Sequence, residues 1–228
     1  MTRHAFGSSV LVRRDGPPRA GRYGAGFVST PLGRRYEGPQ SWWPPEAVMA
    51  ADFVHDRYMA AGEAVAQSSL FSETLDLDGQ GALFDGAPVG TFADLSWWSP
   101  SAMTLVIGVD APDDGGGGTR GILIESSASR FVQEIGGLLN ASVNATNVGG
   151  VATSWGAPTL CAIAFDGTGR TLITSSAQMS DSETWTVAPA SLTLGSFPGG
   201  SSALGGHITH ITAYQSRKTG SALTALVS

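Results

Sequence analysis

The sequence predicts an all-β protein: an antiparallel β-sandwich of the jelly-roll type, with an extended N-terminal arm and a short C-terminal helix. Three observations carry that prediction. Residues 159–166, 170–174, 191–195 and 206–214 are short runs rich in β-branched and apolar residues with hardly a charge between them. Gly, Pro, Ser and Asp separate these runs, supplying the permissive backbone that tight turns need. Only residues 220–226, Gly-Ser-Ala-Leu-Thr-Ala-Leu, have a helical look, so a bundle or an alternating α/β chain is excluded.

Taken in order, residues 1–49 read as an arm and residues 50–228 as the sandwich. The arm is broken by Asp15-Gly-Pro-Pro18, Gly21, Gly24, Gly26, Pro31, Gly33, Gly38-Pro39 and Pro44-Pro45, a spacing that forbids a helix of any length. Residues 9–13 and 26–30 can pair as strands only where a sheet edge is offered. Residues 46–51 suit one helical turn, and residues 52–59 read as the opening strand. Over residues 69–78 the second half alternates, with Leu75 and Leu77 on one face and Asp76 and Asp78 on the other, as a sheet with one wet side requires. Residues 103–110, Met-Thr-Leu-Val-Ile-Gly-Val-Asp, form the most apolar strand and are expected at the centre of a sheet. Gly115 to Gly118 is a loop, and residues 121–125, 130–134 and 138–143 follow as strands. The total is about ten to twelve short strands, spaced by about 8 to 20 residues. No repeat of fixed period is present, which excludes a solenoid or propeller.

Charge is divided unevenly. Residues 1–37 carry seven arginines against Asp15 and Glu37, a local charge of +5, so the rest of the chain sums to −11 within the net −6. Lysine occurs once, at Lys218. Arginine without lysine favours planar, two-pronged contacts with carboxylates or carbonyls of a partner protein. Arg13, Arg14, Arg19, Arg22, Arg34 and Arg35, with Trp42 and Trp43, are therefore the expected anchoring residues. A nucleic-acid partner is not expected, because the arm lacks helical periodicity and the acidic remainder would repel DNA. No run approaches 18 apolar residues, so no membrane span is expected, and the first residues lack a signal-peptide core. Cys161, alone in the chain and flanked by Leu160 and Ala162, reads as a small buried apolar residue.

The order of several motifs resembles a known family. A strand ending in Ala164-Phe-Asp-Gly167, a second strand, Leu194-Gly-Ser196, the pattern Gly206-x-Ile-x-x-Ile-x-x-Tyr214 and a closing Ser221-Ala-Leu-x-x-Leu226 are similar to the concanavalin A-like (LamG-like) lectin/glucanase sandwich. More narrowly, they resemble the version in tail and head fibre or spike proteins of bacteriophages and gene transfer agents. The resemblance covers residues 100–228 well and 50–100 less well, through Ala51-Asp-Phe53 and Arg57-Tyr58. Two departures weaken a strict subgroup: no Asn-Gly hairpin follows the Arg170 strand, and Gly220 stands where the family supplies an acid.

The resemblance implies a non-enzymatic structural subunit of a phage-like particle, assembled in the bacterial cytoplasm and located on the virion. Its implied partners are capsid, tail or companion fibre proteins, other copies of itself, and cell-surface polysaccharide. It implies no cofactor, though several lectins of this fold hold calcium, which here could draw on Asp113 or Asp114. Trp97, Trp98, Trp155 and Trp185 lie next to turn residues and are the candidate carbohydrate-binding platforms, since flat aromatic faces stack on sugar rings. Two alternatives stay open: a glycoside hydrolase using Asp76 and Asp78, roughly 6.6 Å apart on one strand face, and a purely architectural subunit.

Other chemistries are unsupported. An EF-hand starting at Asp76 would need Asp or Asn where Gln80 stands and an acid where Ala87 stands. His207 and His210, three apart in an extended strand, should point to opposite faces and cannot share a metal. No Gly-x-Ser-x-Gly elbow or phosphate-binding glycine loop occurs.

Overall fold

The computed structural model describes residues 42–85, 90–111, 118–125, 130–143, 146–153, 155–185, 188–198 and 202–228. The anchoring arginines, Asp113, Asp114 and the loop at residues 115–117 lie outside them. Among the described residues are fifteen strands and two short helices. The first part comprises β1 (Met49–Asp52), β2 (Arg57–Ala60), β3 (Glu63–Val65), α1 (Gln67–Leu70), β4 (Ala82–Phe84), β5 (Gly90–Thr91), β6 (Ala102–Asp110) and β7 (Thr119–Ile124). The second part comprises β8 (Arg130–Ile135), β9 (Leu138–Val143), β10 (Thr146–Ala152), β11 (Thr159–Asp166), β12 (Gly169–Thr174), β13 (Gln178–Asp181), β14 (Thr193–Leu194), β15 (Gly206–Tyr214) and α2 (Gly220–Thr224).

The strands form two antiparallel sheets. One has the order β13-β12-β11-β6-β15-β1-β2-β3, with β4 also on β15; the other runs β10-β9-β8-β7-β14-β5. As its apolar sequence predicts, β6 is central, flanked by β11 and β15. The hairpin at Gly167-Thr-Gly169 forms as read, with Asp166 facing Gly169 and its carboxylate accepting from the Thr168 amide at 2.7 Å.

Between the sheets lies a core rich in aromatic side chains. Phe53, Phe71, Phe92, Trp97, Trp98 and Phe131 follow one another at centroid distances of 4.7 to 5.8 Å. Trp185 stacks on Phe131 at 3.7 Å. Each such ring removes roughly 150–250 Å² from water, about 4–6 kcal/mol of gross transfer free energy at about 25 cal/mol per Å². A second, smaller cluster covers the outer face of the larger sheet, where Val106, Ala162, Ala164, Ile173 and Tyr214 pack beneath Leu223 and Val227 of the C-terminal segment. Cys161 is fully buried, as expected, and burial alone pushes its thiol up to about 12.

Three local expectations are corrected. Residues 52–59 are not one strand but are split by a hairpin turn at residues 53–56: Asp52 ends β1 and faces Arg57, which begins β2, and Asp56 has a left-handed φ of 52°. The Asp52 carboxylate stabilises that turn by accepting from Arg57 and from the His55 amide. Residues 46–51 form no helical turn, because Glu46 adopts φ 70° and the Val48 amide is already paired with the Ala213 carbonyl. Residues 69–78 form no strand beyond two isolated bridges, Phe71 with Phe92 and Leu77 with Ala82. There the Leu75 amide donates to the Gln67 side chain, which itself donates to the Tyr58 hydroxyl, so a side chain takes the place of a ladder partner.

Candidate functional site

The β10–β11 connection is shaped by Gly156, whose φ of 83° makes a tight turn that lifts Ala157 and Pro158 outward. Its amide is held by the Ala111 carbonyl at 2.9 Å. Opposite stands the β12–β13 turn. Thr174 Oγ1 accepts from the Ser176 and Ala177 amides, both at 3.3 Å, which fixes Ser175 and Ser176 in place. The C-terminal segment, ending in Val227 and Ser228, closes the third side. Between them lies a cleft of about 330 Å³ whose walls carry Thr153, Thr159, Thr174, Ser175, Ser176 and Ser228, with Ala157, Pro158, Leu160 and Val227 as its apolar part. Among the described residues no charged side chain lines it. Thr153 Oγ1 is buried and makes no hydrogen bond among the described residues.

On the core side of the same connection, Trp155 is half-buried and packs on the aromatic core. The Arg120 guanidinium lies over its ring at 5.9 Å. Arg120 pairs with Glu134, Nε to Oε2 3.3 Å, and both side chains are buried. Glu134 Oε1 also accepts from the Gly137 amide at 2.8 Å.

The four tryptophans therefore divide. Trp97, Trp98 and Trp185 are only 4%, 6% and 4% exposed and their rings are covered by aromatic neighbours, so none offers a face to a ligand. This corrects the expectation that all four are binding platforms: adjacent turns made them look peripheral, but the chain turns inward at each. Trp155 alone of the four is partly exposed, and it packs on the core rather than lining the cleft. Trp42 and Trp43 are half-buried.

A β-bulge also overturns the histidine reading. In β15 the register slips between Ile208 and His210, so Ile208 and Ile211, three apart, both face the core. The inserted residue turns His207, Thr209 and His210 toward the same outer face. His207 Nε2 lies 2.7 Å from Asp78 Oδ2. His210 packs over Gly108, and burial drives its pKa down against the opposing pull of Asp52. Among the described residues no three His, Cys, Asp or Glu side chains are gathered as a metal site. Asp78 accepts from the Gln80 amide and faces His207, and these partners hold its carboxyl below the usual range, opposite to what a general acid needs.

No family model matches this sequence, and no curated protein matches it. Solved structures do share its fold. Trypanosoma rangeli sialidase in complex with sialic acid superposes with a TM-score of 0.56 at 11% identity over 82% of this chain. The same enzyme with a difluorinated nononic acid gives 0.55 at 12% identity, also over 82%. In both, the match spans 33% of the sialidase, so the chain corresponds to about a third of that protein. The CBM40 of a Ruminococcus gnavus sialidase, bound to α2,3-sialyllactose, has a TM-score of 0.45 at 11% identity, over 57% of this chain and 84% of its own. At these identities the likeness establishes the class alone: a two-sheet antiparallel β-sandwich, in agreement with the concanavalin A-like architecture that the motifs resemble. No helix among the described residues is long and apolar enough to cross a membrane.

Proposed function

We propose that this chain is a carbohydrate-binding sandwich that recognises a cell-surface polysaccharide without cleaving it, through the cleft between the β10–β11 and β12–β13 connections. The observation that carries this reading is the hydroxyl-lined cleft, without a charged side chain among its described lining residues, set between loops at one end of a sandwich whose fold is shared with a sugar-complexed sialidase. Hydroxyl walls both donate and accept hydrogen bonds, which suits a polyol, and loops on a rigid scaffold are where sandwiches carry ligands. On the resemblance of its motifs, the chain is a subunit of a phage-like particle, with residues 1–49 as the arm that attaches it to capsid, tail or fibre proteins and to copies of itself. Repetition on a particle would raise weak sugar contacts to useful avidity.

The test is retention of the purified full chain on immobilised bacterial polysaccharides, together with binding to encapsulated and capsule-free cells. Retention with no release of reducing ends is the expected result. Cleavage would turn the reading to the glycoside hydrolase, and absence of any retention would leave the architectural subunit.

A further inference from the structure

We infer that the cleft accepts a neutral saccharide rather than an acidic one, anchored by the Thr153 hydroxyl and seated on Pro158 and Leu160. This rests on the glycan-binding reading above and assigns its ligand class. A carboxylated sugar entering a confined site needs a cation to offset the water it loses, and no lysine, arginine or histidine is among the described residues that line this cleft. Three arginines among the described residues are paired with carboxylates. Arg170 pairs with Asp181 and Arg217 with Asp166, while Arg120 is buried against Glu134. What the walls do offer is hydroxyl groups, able to donate to and accept from the hydroxyls of a sugar in turn, and a small aliphatic strip suited to its C–H face.

The second observation is Thr153 itself. Its Oγ1 is buried with no hydrogen-bond partner among the described residues, a state that leaves its lost hydration uncompensated. It lines the cleft, so a ligand hydroxyl reaching it would restore the missing bond. The volume, about 330 Å³, is at the small end of ligand sites, and fits a short stretch of glycan.

The experiment titrates the full chain with neutral trisaccharides of gluco, manno and galacto configuration, and with sialyllactose and a uronic-acid trisaccharide as acidic arms. Two variants accompany it: Thr153→Val, which removes the hydroxyl while keeping the shape, and Ser175→Trp, which fills the cleft from an exposed turn. The expected result is binding of at least one neutral sugar, weakened about tenfold by Thr153→Val and abolished by Ser175→Trp. Thr153→Val should meanwhile melt at the same or a higher temperature, which a merely structural hydroxyl would not allow. Binding of acidic sugars alone, or neutral binding indifferent to both variants, overturns the inference and leaves the glycan reading standing. Failure of every sugar to bind overturns both.

Discussion

Arg170 is the largest fully buried side chain among the described residues, and it holds the β12–β13 hairpin that forms one wall of the cleft. Its guanidinium grips Asp181 in the forked geometry: Nε lies 3.0 and 3.2 Å from the two carboxylate oxygens and Nη2 lies 2.9 Å from Oδ2. The two partners differ in access to water, for the Arg170 side chain is 0% exposed and that of Asp181 27%. That difference makes the cost of breaking the pair asymmetric. Asp181→Ala removes the carboxylate that neutralises a fully buried cation, where removal of one partner of a buried pair costs about 3–5 kcal/mol. Water entering through the half-open carboxylate position relieves part of this, giving about 2–4 kcal/mol. Arg170→Met instead replaces the buried stem with an apolar chain and leaves a carboxylate that can rehydrate, so about 1–2 kcal/mol is expected. Urea unfolding at pH 7 measures both, from midpoints with an unchanged dependence on denaturant. If Arg170→Met proved as costly as Asp181→Ala, or more so, the difference in burial would not be what controls the pair.

Gly108→Ala would set a Cβ 2.2 Å from Thr209 Oγ1 and 2.5 Å from His210 Cε1. Overpacking of this kind costs about 1–3 kcal/mol, to be seen as a lower melting temperature. Trp98→Ala should cost about 3–5 kcal/mol as a core deletion, and Trp155→Ala, half-buried, roughly half as much; urea unfolding ranks them, and the reverse order would contradict the division of the tryptophans. Burial depresses the pKa of His210 below its ordinary 6.5, with Asp52 opposing in part. The folded state thus binds this proton less readily than the unfolded chain. Stability is complete above pH 6.5 and is lost as pH falls from there through the depressed value. His210→Gln should flatten that portion of a stability–pH profile, which chemical denaturation at stepped pH would record.

Most of the fold was legible because strands of β6, β11, β12 and β15 agree at two levels, with β-branched apolar runs bounded by turn residues. Legibility failed where a side chain took over a backbone role. The Asp52 carboxylate folds residues 52–57 into a turn that a pattern of apolar and polar residues reads as continuous strand. Gln67 does the same for Leu75. The bulge at Thr209 and His210 was hidden for another reason: a strand with an extra residue keeps its composition but changes which side chains share a face. The tryptophans were misread because sequence neighbours report the chain's turning, not the direction of the ring. The cleft had no signature at all, since Thr153, Thr174, Ser175 and Ser176 come from separate connections and only the pairing of β11 with β12 brings them together.

The C-terminal segment links stability to the site. Without it, Val106, Ala162, Ala164, Ile173 and Tyr214 would present an apolar stripe on the outer face of the larger sheet. Leu223 and Val227 cover that stripe, while Arg217 bonds Asp166, Thr168 and Thr171 and the Lys218 amide donates to Thr104 Oγ1. The same segment then supplies Val227 and Ser228 to the cleft wall. Apolar burial therefore sets the position of one wall of a cleft whose other walls carry hydroxyl groups. This is why the cleft can be lined by hydroxyl groups, whose individual hydrogen bonds are weak, and still be fixed in shape: its walls are held by the outer cluster and by the Arg170–Asp181 pair rather than by one another.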